Sequence, residues 1–217
     1  MSERDWHEWH REYEEPGSPL TIRLALVQRR IRDVLDAAPP GLIQVVSACA
    51  GQGRDVLGVL VDHPRRDDVR ARLVELDAGL AGTARDAARD FALSGVDVVT
   101  GDASTTSAYE GAAPADLVLF CGVFGNVSDH DIRHTVSRLP MLCAPGAKVI
   151  WTRHRREPDL TPTVREWFKD TGFHEVAFDA PEEVYVGVGT HRLVVPPIPF
   201  QHGVKLFTFL PRDTFRP

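Results

Sequence analysis

The stretch IQVVSACAGQGRDVLGVL, residues 43–60, decides the fold. Ile43-Gln44-Val45-Val46 opens it as a short apolar run, the mark of a buried strand. Ser47 to Gly53 then turns through small residues, and Arg54 to Leu60 leaves with helical character. A strand, a glycine-bearing turn and a helix make a corner suited to a nucleotide-like ligand. Gly51 and Gly53 allow close backbone approach, and the start of a helix favours a carboxylate or phosphate. In open α/β sheets such corners bind ligands at the carboxyl ends of the strands.

Outward from this corner, strands and helices alternate. Strand 43–48 leads to helix 54–61, and strand 70–76 to helix 78–91. Strand 96–100 leads to Gly101-Asp102 and a polar loop. Strand 116–121 leads to Gly122 and then a helix near 129–142, and strand 147–152 to a basic loop and helix 161–170. Such alternation implies parallel pairing with helices on both faces. Residues 173–178, 183–195 and 204–210 also read as strands, with no helix between the last two, so the sheet is expected to end antiparallel. Upstream, residues 2–15 have helical spacing of Trp6, Trp9, His10 and Tyr13. Pro16-Gly17-Ser18-Pro19 breaks that helix. A second amphipathic helix follows, with Ile22, Leu24, Leu26, Val27, Ile31, Val34 and Leu35 as its apolar positions.

The 217 residues suit one domain with a sizeable core. A net charge of −6 argues against general nucleic-acid binding. No apolar run approaches the roughly 20 residues of a membrane helix, and the polar start MSERDWHEWHREYEE is unlike a signal peptide. Cys49, Cys121 and Cys143 show neither a disulfide framework nor zinc spacing, which predicts reduced thiols and a cytoplasmic protein. A homodimer is left open.

The turn C-A-G-Q-G-R-D lacks the G-x-G-x-x-G spacing of dinucleotide folds. It resembles motif I of the class I S-adenosylmethionine-dependent methyltransferases, an acid followed by G-x-G-x-G. Cys49 replaces the first glycine and Ser47 the strand-end acid. Later segments follow the same family. VELDAGLAGTAR places Glu75 where an acid accepts hydrogen bonds from both ribose hydroxyls, with Leu76 beside it and Asp77 as the alternative acid. VVTGDAS places Asp102 and Ala103 at the adenine amino group. DLVLFCGVFGNVSD, with Cys121 and Gly122, is similar to motif IV, which passes beside the methionine part. APGAKVIWTR resembles the turn into strand five.

The resemblance spans about residues 41–210 and implies a Rossmann-like, seven-stranded mixed sheet in the order 3-2-1-4-5-7-6. It also implies S-adenosylmethionine as cofactor, held at Ser47, Ala50, Gly51, Gly53, Glu75, Leu76, Asp77, Asp102, Ala103, Cys121 and Gly122. Residues 1–40 become a helical lid on a core of 41–217. In that lid Tyr13, Ser18 and Arg23 present polar groups, with Arg23 suited to the methionine carboxylate.

Catalysis is less marked. Asn126, His154 and Tyr13 are the candidates. Asn126 is followed by Val-Ser, unlike the Asn-Pro-Pro-Tyr motif of enzymes that methylate nucleic-acid amino groups. With the acidic charge, this favours a small-molecule acceptor. Arg153-His154-Arg155-Arg156 falls on the ligand side as either a solvated loop or a substrate contact. His130 and His134 have the spacing of a zinc motif without its glutamate or third ligand, and read as surface histidines. Cys49 reads as a small packing residue. The expected activity is methyl transfer. The alternatives are a protein that binds S-adenosylmethionine or S-adenosylhomocysteine without turnover, and an NAD(P)-dependent oxidoreductase on a related fold.

Overall fold

A computed structural model describes residues 17–211; the helix expected over 2–15, with Trp6, Trp9 and Tyr13, lies outside the described residues. Helix α1 runs Pro19–Asp36. The Gly-Ser-Pro sequence before it is more than a breaker. Ser18 caps the helix by accepting the Thr21 N–H (3.1 Å), and Pro19 occupies the first turn, where no N–H is needed. Val27, Ile31 and Leu35 pack into a core cluster with β1, α2 and the middle of the sheet, so this helix is seated on the sheet face.

The alternating units follow in order. They are β1 Ile43–Ala48, α2 Arg54–Leu60, β2 Val69–Glu75, α3 Ala78–Asp90, β3 Val96–Thr100, β4 Ala115–Phe120, α4 Asp129–Arg138, β5 Cys143–His154, α5 Thr161–Asp170, β6 Phe173–Asp179 and β7 Val186–Leu193. The sheet order is β3-β2-β1-β4-β5-β7-β6, as the resemblance implies. β1 pairs parallel with both β2 and β4, and β7 pairs antiparallel with β5 and β6. Two apolar clusters cover the two faces. Packing is close where β5 meets β7: a side-chain carbon at Gly189 would lie 2.3 Å from the Trp151 ring.

Three expectations change. β5 begins at Cys143 instead of 147, because Cys143 pairs with Ala115 ahead of a register shift. β7 is shorter than 183–195. Residues 204–210 add no strand to the sheet. They run as a strap joined by single bridges, Thr105 with Lys205 and Val127 with Phe209, while Leu206 and Phe207 enter the core. Apolar spacing predicted a strand there, but the segment buries only Leu206 and Phe207 and leaves Lys205, Thr208 and Phe209 exposed. Among the described residues, no helix is long and apolar enough to cross a membrane.

Candidate functional site

β1 has β2 on one side and β4 on the other, so chain connections leave in opposite directions and a crevice opens at the carboxyl ends between them. The sequence-predicted residues gather along this rim.

On the β2–β3 side, Glu75 ends β2. Its Oε2 accepts the Gly51 N–H (2.7 Å) and its Oε1 accepts the Asp77 N–H (2.9 Å), tying the glycine turn to the strand end. Each carboxylate oxygen keeps a second lone-pair direction, so Glu75 can also accept from a diol. Asp77 is the N-cap of α3, accepting the Leu80 N–H (2.8 Å). Leu76 between them is 68% exposed, an apolar platform on the rim.

Asp102 follows β3, and its Oδ1 accepts the Ser104 N–H (2.8 Å). Burial works against its ionised form, but Ser104 and Lys205 outweigh that and hold the carboxyl below its ordinary range. Ala103 is buried, and its carbonyl accepts the Tyr109 hydroxyl (2.7 Å).

In the turn itself, Cys49, Gly51 and Gly53 take left-handed φ values of 53°, 56° and 69°. Cys49 thus adopts a left-handed conformation that favours glycine, at a strain of about 1–2 kcal/mol. The glycine N–H groups are committed inside the fold: Gly51 to Glu75, and Gly53 to the Ala50 carbonyl (2.8 Å). A side-chain carbon at Gly53 would lie 2.8 Å from Leu73 Cδ2, so this glycine also serves helix-to-strand packing. Burial, then Glu75 and Asp102, push the Cys49 thiol far up, which makes it a packing residue and no nucleophile.

On the β1–β4 side, Ser47 is buried, and its hydroxyl has no hydrogen-bond partner among the described residues. Cys121 and Gly122 follow β4, and the Gly122 N–H donates to the Thr152 hydroxyl (2.9 Å). Arg23 reaches this point from α1, its Nη1 3.9 Å from where a Gly122 side-chain carbon would lie. Asp55, half-buried in the first turn of α2, accepts the Val56 N–H (2.8 Å) on Oδ1. Burial pushes its carboxyl up, and the Val56 N–H and then Arg23 oppose that shift. Both charges are felt at the Cys121 thiol, which burial holds in its neutral form.

The outer wall holds the catalytic candidates, Tyr13 being outside the described residues. Asn126 turns its amide back to donate to the Gly122 carbonyl (2.7 Å), bracing the loop. His154 packs against Gly125, its Cδ2 3.4 Å from a side-chain carbon built there. Burial, then Arg153 and Arg156, lower its pKa and leave it neutral at pH 7. Arg153 donates to the Phe124 carbonyl. The sequence reading missed two features, Asp55 and the strap. Lys205 of the strap reaches Asp102 (3.4 Å), the Leu206 N–H donates to the Ser104 carbonyl (2.7 Å) and the Leu210 N–H to the Asn126 carbonyl (3.0 Å), so one segment pins the loops after β3 and β4.

No protein-family model and no curated protein matches the chain. Solved structures do. The chain is similar to the CurJ carbon methyltransferase at 15% identity and a TM-score of 0.68, covering 88% of this chain but only 59% of that one. It is also similar to the magnesium protoporphyrin IX methyltransferase ChlM from Synechocystis PCC 6803, crystallised with S-adenosylmethionine, at 13% identity and a TM-score of 0.67, covering 87% of this chain and 91% of that one. An O-methyltransferase family protein from Burkholderia thailandensis matches at 18% identity and a TM-score of 0.56, covering 85% of this chain and 68% of that one. At such identities the likeness defines the fold. The chain has the Rossmann-like fold of class I S-adenosylmethionine-dependent methyltransferases.

Proposed function

We propose that the chain is an S-adenosylmethionine-dependent methyltransferase with a small-molecule acceptor. The observation that carries this reading is the order of charged and apolar groups along one rim. Asp102, Glu75 and Leu76 stand at the ends of β3 and β2, and Arg23 stands at the end of β4. The Ser47 hydroxyl, without a hydrogen-bond partner among the described residues, adds a buried polar atom suited to a polar ligand. In this reading Glu75 accepts the ribose hydroxyls and Leu76 lies against the base. Asp102 and Ala103 meet the adenine edge, with Asp77 kept as helix cap. Ala50, Gly51 and Gly53 shape the floor, while Ser47, Cys121, Gly122 and Arg23 surround the methionine end. Tyr13 belongs to the lid, residues 1–40, over the core of 41–217.

The bound sulfonium supplies an already electrophilic methyl group. The chain's part is to align an acceptor and exclude water. Neutral His154 is the side chain suited to take a proton from an acceptor that must lose one, and Asn126 holds the loop beside it. The net charge of −6 supports a small acceptor over nucleic acid. Free thiols at Cys49, Cys121 and Cys143 suit the reducing cytoplasm. The second reading, binding without turnover, is favoured by the departures at Ser47 and Cys49.

Parallel calorimetric titrations test the proposal. S-adenosylmethionine and S-adenosylhomocysteine are expected to bind, and NAD(H) is not. Binding of NAD(H) alone would overturn it. Release of S-adenosylhomocysteine on incubation with candidate acceptors separates turnover from binding.

A further inference from the structure

We propose that Asp55 supplies the anion for the α-ammonium of the bound ligand, a charge that stands on the helix after the glycine turn instead of at the strand end before it. This rests on the cofactor reading above and deepens it at one residue. An amino-acid end is a zwitterion. Arg23 matches its carboxylate, but a desolvated ammonium left without an anion is strongly unfavourable. Ser47, at the strand end, brings no charge. Glu75 and Asp102 stand on the other side of the rim, bonded to Gly51 and Asp77 and to Ser104.

The first helix crosses the start of α2, where the Gln28 amide donates to the Arg54 carbonyl (2.8 Å), so Asp55 stands at the end of the cleft that Arg23 reaches beside Gly122. Its carboxylate interacts with that guanidinium, and both act on Cys121 at the end of β4. Its Oδ1 accepts the Val56 N–H (2.8 Å), and both local donors on the carboxylate are backbone N–H groups, those of Val56 and of Asp55 itself. Ser47 pairs in register with Leu119, two residues before Cys121, so strand alternation puts the Ser47 hydroxyl, which has no partner among the described residues, on the same sheet face as this cluster. A cation and an anion at the same end of the switch point form the complement of a zwitterion. Burial outweighs the Val56 hydrogen bond and Arg23 and disfavours the Asp55 anion, and an arriving ammonium adds the further positive charge that favours it.

The test compares wild type with Asp55→Asn, both as full chains, by calorimetry with three probes. These are S-adenosylhomocysteine, its analogue with hydrogen in place of the α-amino group, and 5′-methylthioadenosine, which lacks the amino-acid end. Wild type is expected to prefer S-adenosylhomocysteine to the deaminated analogue by roughly tenfold or more. Asp55→Asn is expected to lose roughly 10- to 100-fold in affinity for S-adenosylhomocysteine and nothing for the other two. Its melting temperature without ligand is expected to match or exceed wild type, because Asn keeps the Val56 acceptor and removes a disfavoured charge. Equal S-adenosylhomocysteine affinity in the two proteins would overturn the proposal. So would a parallel loss for the deaminated analogue, which would make Asp55 a support for Arg23. If wild type binds none of the three probes, the cofactor reading itself falls, and this proposal with it.

Discussion

On the β2–β3 side of the cleft the acids are settled by their own chain: Glu75 is bonded to two backbone N–H groups, and Asp102 to Ser104. On the β1–β4 side the groups are held less completely. The Ser47 hydroxyl has no partner among the described residues, Cys49 is in a left-handed conformation, and Asp55 is an acid whose burial favours its neutral form. The sequence on the preorganised side follows the family motifs, whereas the other side contains the two departures of motif I, Ser47 and Cys49, beside the motif IV segment. In the proposed reading the ribose end would meet acceptors already fixed by their own chain, and the amino-acid end would meet groups held less completely.

Removing Glu75 should have the largest effect. Glu75→Ala is expected to weaken S-adenosylhomocysteine by about 2–4 kcal/mol, roughly 30- to 1000-fold, since it loses charged acceptors and also unties Gly51 from β2. Calorimetry checks this, and a wild-type dissociation constant would move the ribose contact elsewhere. Arg23→Ala is expected to lose roughly tenfold for S-adenosylhomocysteine and nothing for 5′-methylthioadenosine, because a single charged contact at the far end is removed. Equal losses for both probes would erase the distinction between the two ends.

The two aspartates should answer pH with opposite signs. The folded pKa of Asp102 is depressed, so its stabilisation is present above the ordinary carboxylate value and lost as pH falls through the folded one. That of Asp55 is raised, so its ionisation opposes folding as pH rises from the ordinary value through the folded one, and that opposition is absent in acid. At neutral pH Asp102→Asn is therefore expected to melt below wild type and Asp55→Asn at or above it, the gap narrowing in acid. Thermal melts at several pH values read this directly. Cys49→Gly should do least. Relief of left-handed strain and loss of a packed thiol oppose each other, leaving a stability change within about 1 kcal/mol by urea unfolding.

Much of this contrast was legible in the sequence. β1 and β3 match their expected spans, as does α5, because apolar runs bounded by Gly, Pro or Asp leave little freedom. Glu75 and Asp102 were proposed from motif order at the strand ends and Arg23 from the helix expected to cover them, and all three stand on this rim. The start of β5 was hidden because Ala-Pro-Gly reads as a turn, while pairing with Ala115 draws Cys143 into the sheet. The strap misled because apolar content signals burial and says nothing of pairing. Asp55 read as an ordinary helical residue, and its nearness to Arg23 depends on how α1 packs over the sheet, a contact that no local pattern encodes. The commitment of the Gly51 N–H to Glu75, 24 residues on, is likewise a tertiary fact.

A crystal structure of the full chain with S-adenosylhomocysteine tests the central claim most directly. The account predicts both ribose hydroxyls on the Glu75 carboxylate and the homocysteine end between Arg23 and Asp55. A ligand bound away from this rim, or seated on it with the ribose turned from Glu75, would contradict it.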